Sequence, residues 1–142
     1  FTELLLDRCV ALYVGVFNSA PWHDAWTEEA ARETLAEILR TPGFLGLVAL
    51  EDGQPMALAA GYCEQWHDGR HYYLKEMCVR ADRQRRGIGA ALLARLEEEA
   101  RAAGAARLYL LTDREGPAAA FYARHGFYTT PRMALMAHRL VP

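Results

Sequence analysis

The sequence predicts a single α/β domain, and three observations carry the prediction. The chain has 142 residues, 52% of them apolar and 24% charged. That suits one domain, at about 100–200 residues per domain, with enough chain to bury a sizeable core. Three short apolar runs between Phe44 and Val79, joined by tight turns, read as an antiparallel meander. Beyond Val79 the pattern becomes strand, helix, strand, which is a βαβ unit. No repeat, linker or low-complexity segment interrupts the chain, so residues 1–142 are read as one domain, a mixed sheet flanked by helices.

Taken in order, Leu4 to about Phe17 lacks Pro and places Leu5, Cys9, Leu12 and Val16 at helical spacing. Pro21 and its turn-forming neighbours end that helix, and Trp22 and Trp26 in the connecting segment need a surface to cover. A second helix starts after Thr27, whose hydroxyl can cap it while Glu28 and Glu29 suit the positive end of the dipole. Thr41-Pro42-Gly43 stops it after Arg40. Phe44 to Leu50, Met56 to about Trp66, and His71 to Val79 are the meander strands, with turns at Asp52-Gly53 and His67-Asp68-Gly69. Gly87 to Gly104 is a helix closed by glycine, with Ile88, Leu92, Leu96, Ala100 and Ala103 on its core face. Arg107 to Thr112 reads as a strand covered on both faces. A last helix from Pro117 to Arg124 and an extended tail from Phe127 to Leu140, with Pro131 in its middle, complete the expected sheet.

Composition excludes several function classes. Sixteen Lys and Arg against 18 Asp and Glu leave a net charge of −2, without the basic face that nucleic acid requires. The apolar run from Cys9 to Phe17 falls far short of the roughly 20 residues that span a bilayer, so no membrane partner is expected. Glu3, Asp7 and Arg8 interrupt the first residues in a way no signal peptide shows. Cys9, Cys63 and Cys78 form no C-x-x-C pair, and the five His have no metal-ligand spacing, so a reduced, cytoplasmic protein without a metal is expected.

The segment richest in chemistry is Arg83-Gln84-Arg85-Arg86-Gly87-Ile88-Gly89-Ala90, which joins the third strand to the long helix. A glycine-rich turn at a helix N-terminus presents backbone N–H groups at the positive dipole end, and arginine side chains grip phosphate oxygens. A Walker loop would need Lys and a different spacing. A dinucleotide fingerprint would use Gly87 and Gly89, but Leu92 stands at the third glycine position; Asp113 keeps a nicotinamide-dependent reading open. The pyrophosphate of coenzyme A is the third candidate ligand.

Here the residues resemble a family. Gln84-Arg85-Arg86-Gly87-Ile88-Gly89 is similar to the Q/R-x-x-G-x-G/A loop of the GNAT N-acetyltransferase superfamily. Glu76-Met77-Cys78-Val79 resembles its E-x-x-V strand, and Tyr122-Ala123-Arg124-His125-Gly126-Phe127 its Y-x-K/R-x-G-F sequence. The likeness covers Leu74 to Phe127 closely. Lys75 to Val79, with Pro21-Trp22 and Trp26, also looks like a bacterial subgroup described as aminoglycoside 6′-acetyltransferase-like. The resemblance implies a GNAT-like mixed sheet with a strand before the first helix; because that helix begins at Leu4, the strand is expected to be missing or very short.

The resemblance also implies transfer of an acetyl group from acetyl-CoA to an amine by direct attack. An alkylamine of pKa near 10.4 must lose a proton to react at pH 7. Strand alternation puts Tyr72, Leu74, Glu76 and Cys78 on one face, so Glu76 is a carboxylate among apolar neighbours and the expected base; Glu64 is the alternative or a water-relaying partner. Tyr122 is the expected proton donor to the leaving thiolate. Glu115 stands where many members carry Asn, a departure that affects coenzyme contacts. The resemblance places pantetheine against main-chain groups of Met77, Cys78 and Val79, and pyrophosphate at Gln84 to Ala90. Cys78 reads as a small apolar strand residue rather than a nucleophile.

Trp22, Trp26, Trp66 and Tyr72 are the expected acceptor-binding residues, since aromatics among carboxylates suit a cationic amine. A small amino sugar or polyamine is the first expectation, and a protein N-terminus or lysine the second. A non-catalytic coenzyme A binding module is a different class, and the presence of both Glu76 and Tyr122 favours an enzyme. The tail from Thr129 to Leu140 could pair across subunits as an edge strand, which would make a homodimer.

Overall fold

In a computed structural model that describes residues 1–141, a short 3-10 turn at Glu3–Leu5 leads into α1 (Leu6–Phe17), followed by α2 (Glu28–Arg40). The meander is β1 (Phe44–Glu51), β2 (Gln54–Trp66) and β3 (Gly69–Val79). After it come α3 (Ile88–Ala102), β4 (Ala105–Leu110) and α4 (Pro117–Arg124). These boundaries lie within a few residues of those the sequence predicts, because the caps and breakers act locally. Thr27 Oγ1 accepts from Ala30 N at 3.1 Å, as the capping argument requires.

The sheet order is β1-β2-β3-β4; β1–β2 and β2–β3 are antiparallel, and β3–β4 is parallel. The expected meander and crossover are therefore both present. Backbone contacts divide the chain into two compact units, Phe1–Leu111 and the residues from Thr112 onward. The first contains the sheet with α1, α2 and α3, and the second contains α4 and the tail.

Within the first unit, one core lies between the sheet and the α1–α2 pair. Cys9, Val10, Tyr13, Leu35 and Ile38 pack there with Leu58, Ala60 and Cys78. Leu92, Leu93, Leu96 and Ala100 of α3 are buried as well, and α3 packs on the sheet. The alternate residues of β2 (Ala57, Ala59 and Cys63) are buried on the opposite sheet face from Leu58 and Ala60.

Three expectations are corrected. Lys75 is an extra residue in β3: Ala60 pairs with Glu76, but Gly61 pairs with Leu74. This bulge breaks the alternation, so Glu76 and Cys78 share a face with Tyr73, whereas Leu74 and Tyr72 face the other way. Gly61 opposite the bulge is obligatory, since a Cβ there would lie 1.9 Å from Tyr73 O. The strand expected at Arg107 to Thr112 is Ala105–Leu110 and forms the sheet edge, with Ala106 and Arg107 exposed rather than covered. Finally, among the described residues, 127–141 contain no strand, so the tail does not complete the sheet. Pro131 lacks the N–H that a ladder would use.

Candidate active site

The bulge places Glu76 beneath α1. Burial pushes its carboxyl up to about 7; the Tyr13 hydroxyl, hydrogen-bonded to it, and the Lys75 charge act downward, and Asp24 acts upward. Tyr13 is only 2% exposed, and burial together with Glu76 holds its hydroxyl well above the ordinary tyrosine value, so it remains a donor. Its ring packs against Phe17 at 4.5 Å and edge-on against Trp26 at 5.1 Å. Asn18 fixes the connecting segment, donating to Trp26 O at 2.9 Å and accepting from Trp26 N at 2.8 Å. Trp26 Nε1 donates in turn to Asp24 Oδ2 at 3.2 Å. A shallow surface hollow lined by Asp24, Ala25, Trp26, Thr27 and Ala30 lies at this segment.

Along the same sheet face runs a wall of half-buried aromatics. Tyr62 meets Tyr73 edge-on at 5.6 Å, and Tyr73 stacks on Tyr109 at 4.7 Å and 2°. Glu64 Oε1 accepts from Trp66 Nε1 at 2.8 Å and from the Tyr109 hydroxyl. Those two hydrogen bonds hold the Glu64 carboxyl below its ordinary value, since both favour the charged form. Trp66 stacks on buried His71 at 5.0 Å, and His71 Nε2 lies 3.0 Å from Asp68 Oδ1. The two carboxylates thus have opposite environments: Glu76 is primed to take a proton, whereas Glu64 stays ionised.

The β3–β4 ladder ends at the Leu74–Leu110 pair while β3 runs on to Val79. Main-chain groups of Lys75 to Val79 on that side are consequently left without a strand partner. At the following turn Gly87 is the N-cap of α3, at φ +81° in the left-handed region, and no side chain caps the helix. The amides of Ile88, Gly89 and Ala90, in the first turn of the helix, are therefore left without a side-chain cap. Arg83 is occupied by Glu51 (2.6 Å) and Asp82 (2.8 Å), and Gln84 Nε2 donates to Val79 O at 3.0 Å. Arg85 and Arg86 are exposed and have no ion pair among the described residues. Of the charged loop, these two arginines and the free amides are what an anion would meet.

Tyr122 belongs to the second unit. Its ring lies 5.2 Å from Phe121 and 5.3 Å from Phe127, and Phe127 N donates to its carbonyl at 3.1 Å. In the turn before α4, Glu115 N donates to Asp113 Oδ1 at 3.0 Å.

The first unit therefore brings Glu76, Glu64 and Trp66 to one face. Tyr72 differs: it is fully buried, and its hydroxyl donates to Leu45 O at 2.8 Å on the opposite face. A side chain with no exposed surface cannot touch an acceptor, so Tyr72 is a core residue and Tyr73 takes the position on the wall. Trp26 packs at the edge of the core, and Trp22 lies against Phe17 at 5.8 Å. Cys78 is buried, and burial first and Glu76 second push its thiol far up, which suits a packing residue rather than a nucleophile. Sequence reasoning missed Tyr13, Tyr73 and Tyr109. Tyr13 was legible only as a core-facing helix residue, and the other two depend on a register that a bulge shifts.

The model of the acetyltransferase (GNAT) family matches residues 11–127. The chain belongs to this family, and the class it defines is an N-acetyltransferase. Solved structures share the fold. A probable acetyltransferase superposes with a TM-score of 0.82 at 20% identity, over 100% of this chain and 96% of that one. The aminoglycoside N-acetyltransferase AAC(6')-Iy, solved in complex with CoA, gives 0.76 at 18% identity over 98% and 91%. An aminoglycoside acetyltransferase from an uncultured soil metagenomic sample, in complex with sisomicin, gives 0.73 at 18% identity over 100% and 93%. No curated protein matches the chain in sequence.

Proposed function

We propose that this protein transfers the acetyl group of acetyl-CoA to a primary amine by direct attack, and that the acceptor is a small cationic amine such as an amino sugar or polyamine. The observation that carries the reading is Glu76, a carboxylate raised to about 7 by burial and hydrogen-bonded by Tyr13 beside an aromatic wall. A carboxylate with a pKa near neutrality is ionised in a large share of molecules, and the ionised form can take a proton from an ammonium directly or through water. The aminoglycoside acetyltransferases that share the fold, one solved with CoA and one with sisomicin, support both the coenzyme and the acceptor class.

Acetyl-CoA supplies an activated thioester carbonyl; the chain's residues bind it, orient it and move protons. The free amides at the N-terminus of α3, with Arg85 and Arg86, suit the pyrophosphate. Their fit to a phosphate group rests on the left-handed Gly87 and the uncapped helix, where a side chain would intrude. The main chain of Met77 to Val79 on the side away from β2, where the β4 ladder has already ended, suits the amides of an extended pantetheine arm. Tyr122 donates the proton to the departing thiolate, a role carried over from the family sequence. The reading takes residues 1–142 as one N-acetyltransferase domain.

No helix among the described residues is long and apolar enough to cross a membrane. Three free buried thiols accord with a cytoplasmic setting. The reading includes a homodimer joined through the tail, where Met133, Leu135 and Met136 are exposed; light scattering that finds only monomer removes that element.

Calorimetric titration with acetyl-CoA, with NAD as the control, tests the coenzyme. Release of free thiol in the presence of candidate amines then tests transfer. Binding of NAD with acetyl-CoA silent would overturn the reading.

A further inference from the structure

Resting on that reading, one feature of the sheet face narrows the acceptor. Glu64 is half-buried, and among the described residues no basic side chain is hydrogen-bonded to it or ion-paired with it; the charge of His71, its cross-strand neighbour, is the least of the influences on its carboxyl. Its partners are two neutral donors, Trp66 Nε1 and the Tyr109 hydroxyl, so its negative charge is oriented but not neutralised. Around it the rings of Tyr62, Tyr73, Tyr109 and Trp66 form one contiguous surface: Trp66 lies 6.1 Å from Tyr109, and Tyr109 is stacked on Tyr73. This surface already attracts a cation of the chain itself, since Lys75 Nζ lies 5.5 Å from the Tyr73 ring centre. Tyr73 senses both carboxylates: its hydroxyl is raised by burial first, then by Glu76 and by Glu64.

The spacing follows from the register. Glu76 pairs with Ala60, and Glu64 lies four residues further along β2 on the same face. At the usual rise along a strand, this separates the two positions by about 13 Å along the sheet.

We propose that Glu64, framed by Tyr62, Tyr73, Tyr109 and Trp66, is a second cation subsite, so that the acceptor is a molecule with two amino groups, one reacting at Glu76 and the other held as an ammonium at Glu64. Glu64 is thereby a specificity-determining residue rather than a second base. Tyr109 and Trp66 are positioning residues that aim its carboxylate.

The test is calorimetric and needs no acetyl transfer. A linear diaminoalkane and a diamino sugar are titrated into the protein, each beside its monoamine counterpart. At least one dication is expected to bind about tenfold more tightly than its monoamine. Glu64→Gln, which preserves both hydrogen-bond donors' contacts in shape, is expected to bring that ratio close to one, and Tyr109→Phe to lower it in part. No preference for either dication, or a preference that survives unchanged in both variants, overturns the subsite. A dication preference that depends on Glu64, together with no thiol release from acetyl-CoA, sustains the subsite and overturns the transferase reading instead.

Discussion

Tyr73, and not its neighbour Tyr72, shares a sheet face with Glu76. The reason is one unpaired residue: Lys75 lies between the Leu74–Gly61 and Glu76–Ala60 pairs and shifts the register of β3. Without that bulge Glu76 would remain on the face of Tyr72, whose hydroxyl is buried against Leu45 O. The bulge therefore decides which surface the carboxylate serves.

Glu76→Gln should lower kcat by roughly 10²–10⁴-fold, the range usual for loss of a positioned base. In the native protein kcat/KM should rise through an acid limb near pH 7, where Glu76 loses its proton, and the variant should lack that limb. Stability should respond too. The carboxyl goes from an ordinary 4.5 to about 7, so the folded state binds the proton more tightly. Its contribution to stability therefore falls as pH rises from about 4.5 through about 7. Chemical denaturation across that window should show a shallower pH slope in the variant.

Tyr13→Phe keeps the packed ring and removes the hydroxyl bonded to Glu76. Since that bond favours the ionised carboxyl, its loss should move the acid limb to higher pH. The expected stability cost is about 1 kcal/mol, measurable by denaturant titration. An unmoved pH profile would separate Tyr13 from the proposed base, Glu76.

Tyr122→Phe should reduce kcat while the affinity for acetyl-CoA, measured by calorimetry, stays near that of the native protein. Equal losses in both would assign Tyr122 to binding rather than to proton donation.

Gly87→Glu tests the anion cradle. A Cβ at Gly87 meets nothing within 4 Å, so the fold bears only the left-handed backbone cost of about 1–2 kcal/mol. The added carboxylate should repel pyrophosphate and raise the Kd for acetyl-CoA well beyond what Gly87→Ala does. Equal affinity in the two variants would locate the pyrophosphate elsewhere.

Gly61→Ala should be the most damaging of these substitutions for the fold. Its new methyl group would lie 1.9 Å from Tyr73 O, a backbone atom that cannot swing away. A loss of roughly 1–3 kcal/mol is expected in thermal or denaturant unfolding. Because the strain falls on the bulge, the pH profile set by Glu76 should shift as well.

Much of this protein was determined by sequence alone, because the governing interactions are local. Thr27 caps α2, Thr41-Pro42-Gly43 stops it, two tight turns order the meander, and Gly87 opens α3; each acts within a few residues, so the element order and the glycine-rich turn into α3 could be read directly. Glu76 was legible from its place in the strand and from family likeness. Tertiary structure alone decided what shares its face. A strand's side chains alternate strictly only while pairing is regular, and Lys75 interrupts the pairing through a relation to β2 that no local pattern encodes. The same holds for Tyr13, brought to Glu76 by helix packing, for Tyr109, brought to Glu64 by the parallel pairing of β4, and for Tyr72, turned into the core. Such contacts join residues distant in sequence, and their geometry exists only once the sheet and its covering helices have assembled.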